Sequence, residues 1–157
     1  MAEELPAGDL PRVVAGLRAA GERVVLTNGC FDVLHVGHVR CLTQARSLGD
    51  RLIVGLNSDG SVRSIKGPDR PVNGEADRVY VLSALSCVDY VTVFDEPTPR
   101  RLIELVRPDV YVKGGDYADR GIPEEPLVTA LGGRVEILDL VPGRSTTALL
   151  ERVRTGA

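Results

Sequence analysis

Short runs of β-branched and other apolar residues alternate along the chain with longer stretches in which apolar residues recur at helical spacing. The short runs predict five strands, at residues 23–28, 51–57, 89–94, 109–112 and 134–138. The longer stretches predict helices at residues 10–20, 36–48, 75–86, 99–106, 124–131 and from 145 or 146 to about 152. Strands separated by helices of this length form βαβ units with right-handed crossovers. The pattern therefore predicts an α/β fold of three layers, in which helices cover both faces of a five-stranded parallel sheet.

The same pattern contains no linker and no internal repeat, so we expect a single domain over residues 1–157. Its core is predicted at about residues 22–153, after a leading helix at about 10–20. The first eight and the last three residues are expected to be loose. Residues 58–73 are polar and contain Gly and Pro, which predicts a connection with about one helical turn.

The composition narrows the class of protein. Hydrophobic residues make up 43% and charged residues 26% of the chain, which is typical of globular proteins. The net charge of -3 gives no basic field for nucleic acid, and no apolar run is long enough to cross a bilayer. The acidic start of the chain does not resemble a signal peptide. We therefore expect a cytoplasmic protein that binds neither nucleic acid nor membranes.

The two histidines of the chain, His35 and His38, lie in one glycine-flanked turn after the first predicted strand. Gly29 allows a sharp exit from that strand, and Gly37 lets the backbone approach a bulky anion. Free N–H groups and the positive end of the helix dipole lie at the same helix start. The turn is thus predicted to bind phosphate, with two imidazoles that can stabilise oxygens on which charge develops. The Walker motif GxxxxGK[ST] is absent.

Two other interpretations of the histidines remain. A zinc site would need three or four ligands, and the cysteines at 30, 41 and 87 show no metal-ligand spacing, which favours free thiols. The histidines could also be incidental residues at a helix start. The chain has 17 arginines but only two lysines, Lys66 and Lys113, and both precede a glycine. This usage indicates positions that need the compact ammonium group of lysine.

Further polar blocks follow other predicted strands, so one cleft at the carboxyl edge of the sheet could collect them. Lys66, Arg70 and Arg78 would supply positive charge for phosphates. Glycines 114 and 115 allow close approach of a base or ribose, and Ser145 and Thr146 can offer hydroxyl and N–H groups at a helix start. Each block also has a simpler interpretation as an exposed turn, a helix cap or, for Arg78, an ion pair with residue 75 or 77.

The segment His35-Val-Gly-His38, after Gly-Cys-Phe-Asp-Val-Leu, resembles the HxGH signature of the cytidylyltransferase-like nucleotidyltransferases. The resemblance implies a Rossmann-like fold. It also implies that both histidines contact a triphosphate and stabilise the transition state, with Asp32 in the nucleotide pocket. Aminoacyl-tRNA synthetases carry a related signature, but they need a far longer chain.

The order of the blocks, including Asn-Ser-Asp, Lys-Gly-x-x-Arg-Pro-Val-Asn, Val-Lys-Gly-Gly-Asp-Tyr and Ser-Thr-Thr, resembles the heptose 1-phosphate adenylyltransferase branch of that family over about residues 22–153. This implies transfer of AMP from ATP to heptose 1-phosphate, with release of pyrophosphate and formation of ADP-heptose. It also implies a separate sugar kinase upstream and a homodimer. Two alternatives stay open: a cytidylyltransferase acting on glycerol 3-phosphate or another small phosphorylated alcohol, and a non-catalytic nucleotide-binding regulatory module.

The motifs assign expected roles to individual residues. The expected catalytic residues are His35, His38, Lys66 and Arg78. The residues expected to bind the nucleotide are Thr27, Asn28, Gly29, Cys30, Phe31, Asp32, His35, His38, Lys113, Gly114, Asp116, Ser145 and Thr146. The acceptor is expected to contact Asp32, Asn57, Lys66, Arg70 and Arg78. Mg²⁺ would be held mostly by the triphosphate and water, with no metal ligand from the protein and with Asp32 and Asp116 as candidates for ribose or metal-bound water.

Overall fold

The computed structural model describes residues 1–115, 121–139 and 146–156. Within this part the strands are β1 (Glu3–Glu4), β2 (Val24–Gly29), β3 (Arg51–Asn57), β4 (Tyr90–Phe94), β5 (Val110–Gly114) and β6 (Arg134–Leu138). The α-helices are α1 (Leu10–Ala19), α2 (Val36–Ser47), α3 (Asp59–Lys66), α4 (Glu75–Ser83), α5 (Arg100–Val106), α6 (Glu125–Ala130) and α7 (Thr146–Thr155). One 3₁₀ turn spans Ala7–Asp9.

The strands form one parallel sheet in the order β1-β4-β3-β2-β5-β6. The predicted α/β class and parallel sheet are confirmed, but the described sheet has six strands rather than five. The additional strand, β1, pairs Glu3 and Glu4 with Tyr90 and Val91 of β4. A strand of two exposed glutamates has no hydrophobic pattern, so periodicity could not reveal it. The expectation that the first eight residues are loose is wrong here, because Leu5 behind this strand is only 4% exposed.

Helices cover both faces of the sheet. On one face, apolar side chains of α1, α5 and α6 pack on the sheet; the buried residues of this layer include Leu10, Val14, Leu26, Ile53, Leu102, Ile103, Tyr111 and Val128. On the other face, α2 and α4 do the same; the buried residues include Val25, Leu42, Ala45, Leu52, Val54, Val79, Leu82 and Val112. The central strands are therefore buried on both faces, which explains their continuous apolar runs.

Two carboxylates bind backbone N–H groups at the starts of the strands. These starts lie at the opposite edge of the sheet from residues 30–38, which we call the histidine turn. Asp109 accepts a hydrogen bond from the backbone N–H of Val24 at 2.7 Å. Asp89 accepts one from the N–H of Leu52 at 2.8 Å. Asp109 directly precedes β5 and binds the first residue of β2, and Asp89 directly precedes β4 and binds the second residue of β3. These contacts therefore help to set the register of neighbouring strands.

The long connection after β3 contains more helix than predicted. Helix α3 has eight residues rather than one turn. Its start is capped by Ser58, whose Oγ accepts from the N–H of Ser61 at 3.1 Å. Lys66 is thereby placed at the last residue of a helix instead of on an open loop.

The chain continues from β2 to β3 and β4 on one side, and returns to β5 and β6 on the other. The strand order thus reverses beside β2, and a crevice opens outside the carboxyl end of this strand. The histidine turn follows this strand end directly. None of the helices in the described residues is long and apolar enough to span a membrane.

Candidate active site

The turn after β2 has an unusual backbone. Phe31 has a φ of 43°, in the left-handed region that non-glycine residues rarely adopt. A Cβ on Gly29 would lie 3.1 Å from the Phe31 ring, so the glycine makes room for this ring. The ring centroid of Phe31 is 5.3 Å from that of His38 in a tilted arrangement. The sharp exit predicted at Gly29 therefore aims an aromatic side chain at the histidines.

The two histidines cap the start of α2 and each other. Nδ1 of His35 accepts a hydrogen bond from the backbone N–H of Gly37 at 3.1 Å. Nδ1 of His38 accepts one from the backbone N–H of His35 at 3.4 Å. The two rings stack with centroids 3.9 Å apart. A nitrogen that accepts a backbone N–H carries no proton, so each neutral imidazole holds its proton on Nε2 and offers that N–H as a donor.

The surroundings keep His38 neutral. Burial, and then the nearby His35 and Lys66, lower the pKa of His38 from 6.5 to about 4. At neutral pH the ring is therefore a hydrogen-bond donor without net charge. The positive charge near it comes from Lys66 and from the start of α2.

A cavity of about 310 Å³ opens beside the histidines, where β2, β5, α2 and α7 meet. Its volume is within the range of small-molecule sites. The lining residues are Thr27, Asn28, Gly29, Cys30, Phe31, Asp32, His35, Gly37, His38, Cys41, Lys66, Gly114, Thr146 and Thr147.

The cavity brings together most residues predicted to bind the nucleotide, together with Lys66. Of the remainder, Lys113 is described but does not line it, and Asp116 and Ser145 lie outside the described residues. Cys41 and Thr147 also line the cavity, although the sequence did not predict them as site residues. Cys41 is three residues after His38, nearly one helical turn, so the helical period could have placed it on the same face. The thiols of Cys30, Cys41 and Cys87 are all free.

Asp32 is 2% exposed and its carboxylate accepts three hydrogen bonds. It accepts the backbone N–H groups of Val72 and Asn73, at 2.7 and 3.0 Å, and the Nε–H of Arg70. Burial alone would raise the pKa of Asp32, but these three donors outweigh it and hold the pKa below its usual value. The described contacts thus make Asp32 an anchor for the loop before α4, with little capacity left for a ribose or a metal-bound water.

Arg70 lies in that loop and, unlike Asp32, has a buried polar atom without a hydrogen-bond partner among the described residues. Its Nε is engaged by Asp32, while its Nη2 is buried and has no hydrogen-bond partner within residues 1–115, 121–139 and 146–156. A buried guanidinium nitrogen without a partner is costly. A substrate phosphate bound beside the loop would supply the missing acceptor.

Arg78 is enclosed by the fold. Its side chain is 1% exposed. It donates to the backbone carbonyl oxygens of Cys30, Asn57 and Asn73 at 2.7, 2.8 and 3.1 Å. It also donates to Asp59 Oδ1 at 2.8 Å, so its ion pair is with Asp59 rather than with residue 75 or 77. These contacts place Arg78 beneath the site, where it joins the turn after β2, the end of β3 and the loop before α4.

Asn57 is also buried beneath the site. Its Nδ2 donates to Ser61 Oγ at 3.0 Å, and its backbone carbonyl accepts from Arg78. Neither Asn57 nor Arg78 lines the 310 Å³ cavity. Within the described residues, no group of three or more His, Cys, Asp or Glu side chains is arranged to hold a metal ion.

Comparisons with known proteins agree with these features. A family model described as cytidylyltransferase-like matches residues 26–142. A Bifunctional protein HldE from Geotalea uraniireducens is 53% identical over 148 residues, which is 94% of this chain and 30% of that protein. The one from Syntrophotalea carbinolica is 58% identical over 136 residues, 87% of this chain and 28% of that protein. The chain thus spans about three tenths of the length of these relatives.

Solved structures give the same architecture. The lipopolysaccharide core biosynthesis protein from Thermoplasma volcanium superposes with a TM-score of 0.62 at 29% identity, over 77% of this chain and 98% of that one. Pantoate-beta-alanine ligase from Francisella tularensis superposes with a TM-score of 0.67 at 12% identity, over 94% of this chain and 69% of that one. The second likeness concerns the fold alone, and it confirms the Rossmann-like arrangement.

Proposed function

Because the chain belongs to the cytidylyltransferase-like family, we propose that it is a nucleotidyltransferase that transfers AMP from ATP to a sugar 1-phosphate. Heptose 1-phosphate is the proposed acceptor, and ADP-heptose and pyrophosphate are the products. The relatives named HldE, which are more than half identical over most of this chain, support this choice of branch. We assign the activity to residues 1–157 acting as one domain.

The observation that carries the proposal is the pair of stacked, backbone-locked imidazoles at the start of α2. Their Nδ1 atoms are engaged by backbone N–H groups, so their Nε2–H groups serve as fixed, neutral donors. Donors held in place before the reaction stabilise developing charge without having to reorganise. A helix start adds further N–H groups and a positive dipole end. This combination suits the α- and β-phosphates of a nucleoside triphosphate.

The proposed reaction is a direct in-line displacement. An oxygen of the sugar 1-phosphate forms a bond with the α-phosphorus of ATP, and the bond between that phosphorus and the α,β-bridging oxygen breaks. Pyrophosphate leaves with the electron pair of the broken bond. His35 and His38 donate to phosphoryl oxygens as their charge grows, and Lys66 neutralises charge where the two anions approach. No protonated histidine is required, in agreement with the lowered pKa of His38.

The remaining cations have different proposed roles. Arg70, with a buried nitrogen that lacks a partner among the described residues, would bind the acceptor phosphate. Arg78 would act from beneath the site by holding three chain segments in register. Mg²⁺ would be carried by the triphosphate and water; in support, the described residues hold no metal-ligand cluster and the Asp32 oxygens already accept three hydrogen bonds. Bound in this way, the ion would neutralise phosphate charge.

We further propose that the protein works as a homodimer in the cytoplasm and receives its substrate from a sugar kinase. The word bifunctional in the names of the relatives supports a second activity in their longer chains. A kinase of the class that phosphorylates the anomeric hydroxyl would supply the 1-phosphate on which this reaction depends.

The test is release of pyrophosphate in the presence of Mg²⁺, with ATP, CTP and GTP each combined with heptose 1-phosphate and with glycerol 3-phosphate. Release with ATP and heptose 1-phosphate alone is the expected result. Release with CTP and glycerol 3-phosphate would replace the proposed branch by the cytidylyltransferase alternative. Nucleotide binding without release in any combination would contradict the proposed transfer and favour a regulatory module.

A further inference from the structure

The carboxamide of Asn28, near the end of β2, is bound by two side chains of the neighbouring strand β5. Its Oδ1 accepts a hydrogen bond from the Tyr111 hydroxyl at 2.6 Å and another from Lys113 Nζ at 3.1 Å. Tyr111 is fully buried, and Lys113 lies over its ring with Nζ 5.5 Å from the centroid. Both partners stand on β5, the strand paired with β2. Asn28 is therefore fixed by the strand at the switch point of the sheet.

Lys113 determines which way round the carboxamide lies. A hydroxyl can face either end of an amide, because it donates and accepts. An ammonium group only donates, so the atom that faces Lys113 has to be the oxygen. The Nδ2 group, with two N–H donors, then points away from β5. Within the described residues Nδ2 makes no hydrogen bond, and Asn28 is one of the residues that line the 310 Å³ cavity.

Glu124 supports this arrangement from the start of α6. It is 8% exposed, and its Oε2 is buried without a hydrogen-bond partner in the described part of the chain. Burial lowers the pKa of Lys113, and the charge of Glu124 opposes that shift. This matters for orientation, because a neutral amine could accept as well as donate and would no longer exclude the flipped carboxamide.

We infer that Tyr111 and Lys113 are positioning residues that orient the Asn28 carboxamide so that its N–H groups donate to the bound nucleotide. The inference rests on the proposed function only in requiring that the cavity takes a nucleoside triphosphate. The recipient is an acceptor atom of that nucleotide, either a phosphate oxygen or a ring nitrogen. Lys113, predicted from the sequence to bind the nucleotide itself, acts in this scheme through Asn28.

The substitution Asn28→Asp separates this role from a structural one. An aspartate keeps an oxygen for Tyr111 and Lys113 and adds a charge that attracts the ammonium, so the fold should be as stable as before. The same change replaces the donating NH₂ by an anionic oxygen that faces the nucleotide. We expect ATP, titrated by calorimetry with Mg²⁺ and no acceptor, to bind about 10- to 100-fold more weakly. Binding within twofold of the unsubstituted protein would overturn the inference.

A double-mutant cycle tests the positioning role of Lys113. We expect Lys113→Met to weaken ATP binding about 5- to 10-fold on its own and to have no further effect in an Asn28→Ala background. An equal loss in both backgrounds would show that Lys113 does not act through Asn28. The matched control is Arg101→Met, which removes an exposed cation of α5 and should leave ATP binding unchanged. If Lys113→Met does not fold, Tyr111→Phe takes its place in the same cycle, because it removes the other donor to Asn28 Oδ1.

The same titrations, combined with the pyrophosphate assay, distinguish a failure of this inference from a failure of the proposed function. An unsubstituted protein that binds neither ATP nor CTP would refute both. An unsubstituted protein that binds ATP and transfers AMP, beside an Asn28→Asp variant that binds ATP equally well, would refute only the role of Asn28. Binding without transfer, combined with the expected loss in Asn28→Asp, would support the carboxamide role while contradicting the proposed reaction.

Discussion

Substitution of Arg78 by methionine should destabilise the whole domain rather than remove a phosphate contact. Methionine keeps much of the length of the side chain and deletes the guanidinium. The deletion leaves the carbonyl oxygens of residues 30, 57 and 73 and the carboxylate of Asp59 without their donor. The carbonyls lie beneath the site, whereas the Asp59 side chain is 34% exposed and water can replace its partner.

The magnitude follows from these contacts. A hydrogen bond from a charged donor contributes about 1.5–3 kcal/mol, and the three carbonyls are not all desolvated to the same degree. Leaving a buried carbonyl without its donor costs about 1–3 kcal/mol, and water replaces the donor only where it can reach the carbonyl. We therefore expect the free energy of unfolding to fall by about 3–5 kcal/mol. In a domain of this size each kcal/mol shifts the unfolding midpoint by about 2–4 °C, which gives a decrease of roughly 6–20 °C.

Thermal unfolding by circular dichroism measures this shift directly, with Arg101→Met as the control for loss of an exposed arginine. The control should move the midpoint by less than about 2 °C, because an exposed ion pair contributes little. A direct phosphate ligand would behave differently, since its removal would weaken ATP binding and leave the apo protein as stable as before. An Arg78→Met protein with an unchanged midpoint and weakened ATP binding would refute the positioning role.

Three further expectations concern His38 and two glycines. His38→Ala should lower kcat by roughly 10²–10³, measured as pyrophosphate release, because one fixed donor is lost; near-normal turnover would contradict the mechanism. Because the pKa of His38 falls from 6.5 in the unfolded chain to about 4 in the folded one, the stability that depends on neutral His38 should be fully present above pH 6.5 and decline towards pH 4, by at most about 1.4 kcal/mol per pH unit. Denaturant titrations should show this slope, and His38→Gln should lack it. Gly133→Ala should lower the unfolding midpoint, because a Cβ there would overlap the carbonyl oxygen of Pro108. Gly16→Ala should instead raise the free energy of unfolding by about 0.5–1 kcal/mol, because a Cβ there enters open space on α1. Equal midpoints for the two variants would refute the steric role of Gly133.

The elements that could be predicted from the sequence are those with a period. Strand β3 was predicted with its observed bounds because it is a continuous apolar run between polar residues. Helix α2 ends within a residue of its prediction, which was based on Gly49; this glycine has no positive φ, and a Cβ there would lie 2.9 Å from the carbonyl oxygen of Arg23. Strand β1 has no such signal, since its two glutamates join the sheet only through backbone hydrogen bonds to β4. Helix α3 was underestimated because Gly60 and two serines weaken its helical pattern.

In the candidate site, too, the features with a local sequence signal could be predicted and those that depend on distant contacts could not. The histidine turn was identifiable because both histidines of the chain, a strand end and a helix start coincide there. The enclosure of Arg78 was not identifiable, because an arginine on an amphipathic helix normally faces solvent and its partners are backbone carbonyls from three distant segments. The partners of Lys113 depend on which residues β5 places beside β2, and this register follows from tertiary packing rather than from local pattern.

The Asp32 carboxylate joins the turn after β2 to backbone groups 40 and 41 positions further along the chain. Contacts of such separation close a long loop, which here contains α2, β3 and α3, and closing a loop costs conformational entropy. The shape of the turn after β2, and with it the cavity beside the histidines, therefore depends on how the whole intervening segment packs. A substitution that loosens this segment, even one that touches no residue lining the cavity, should therefore deform the cavity as well.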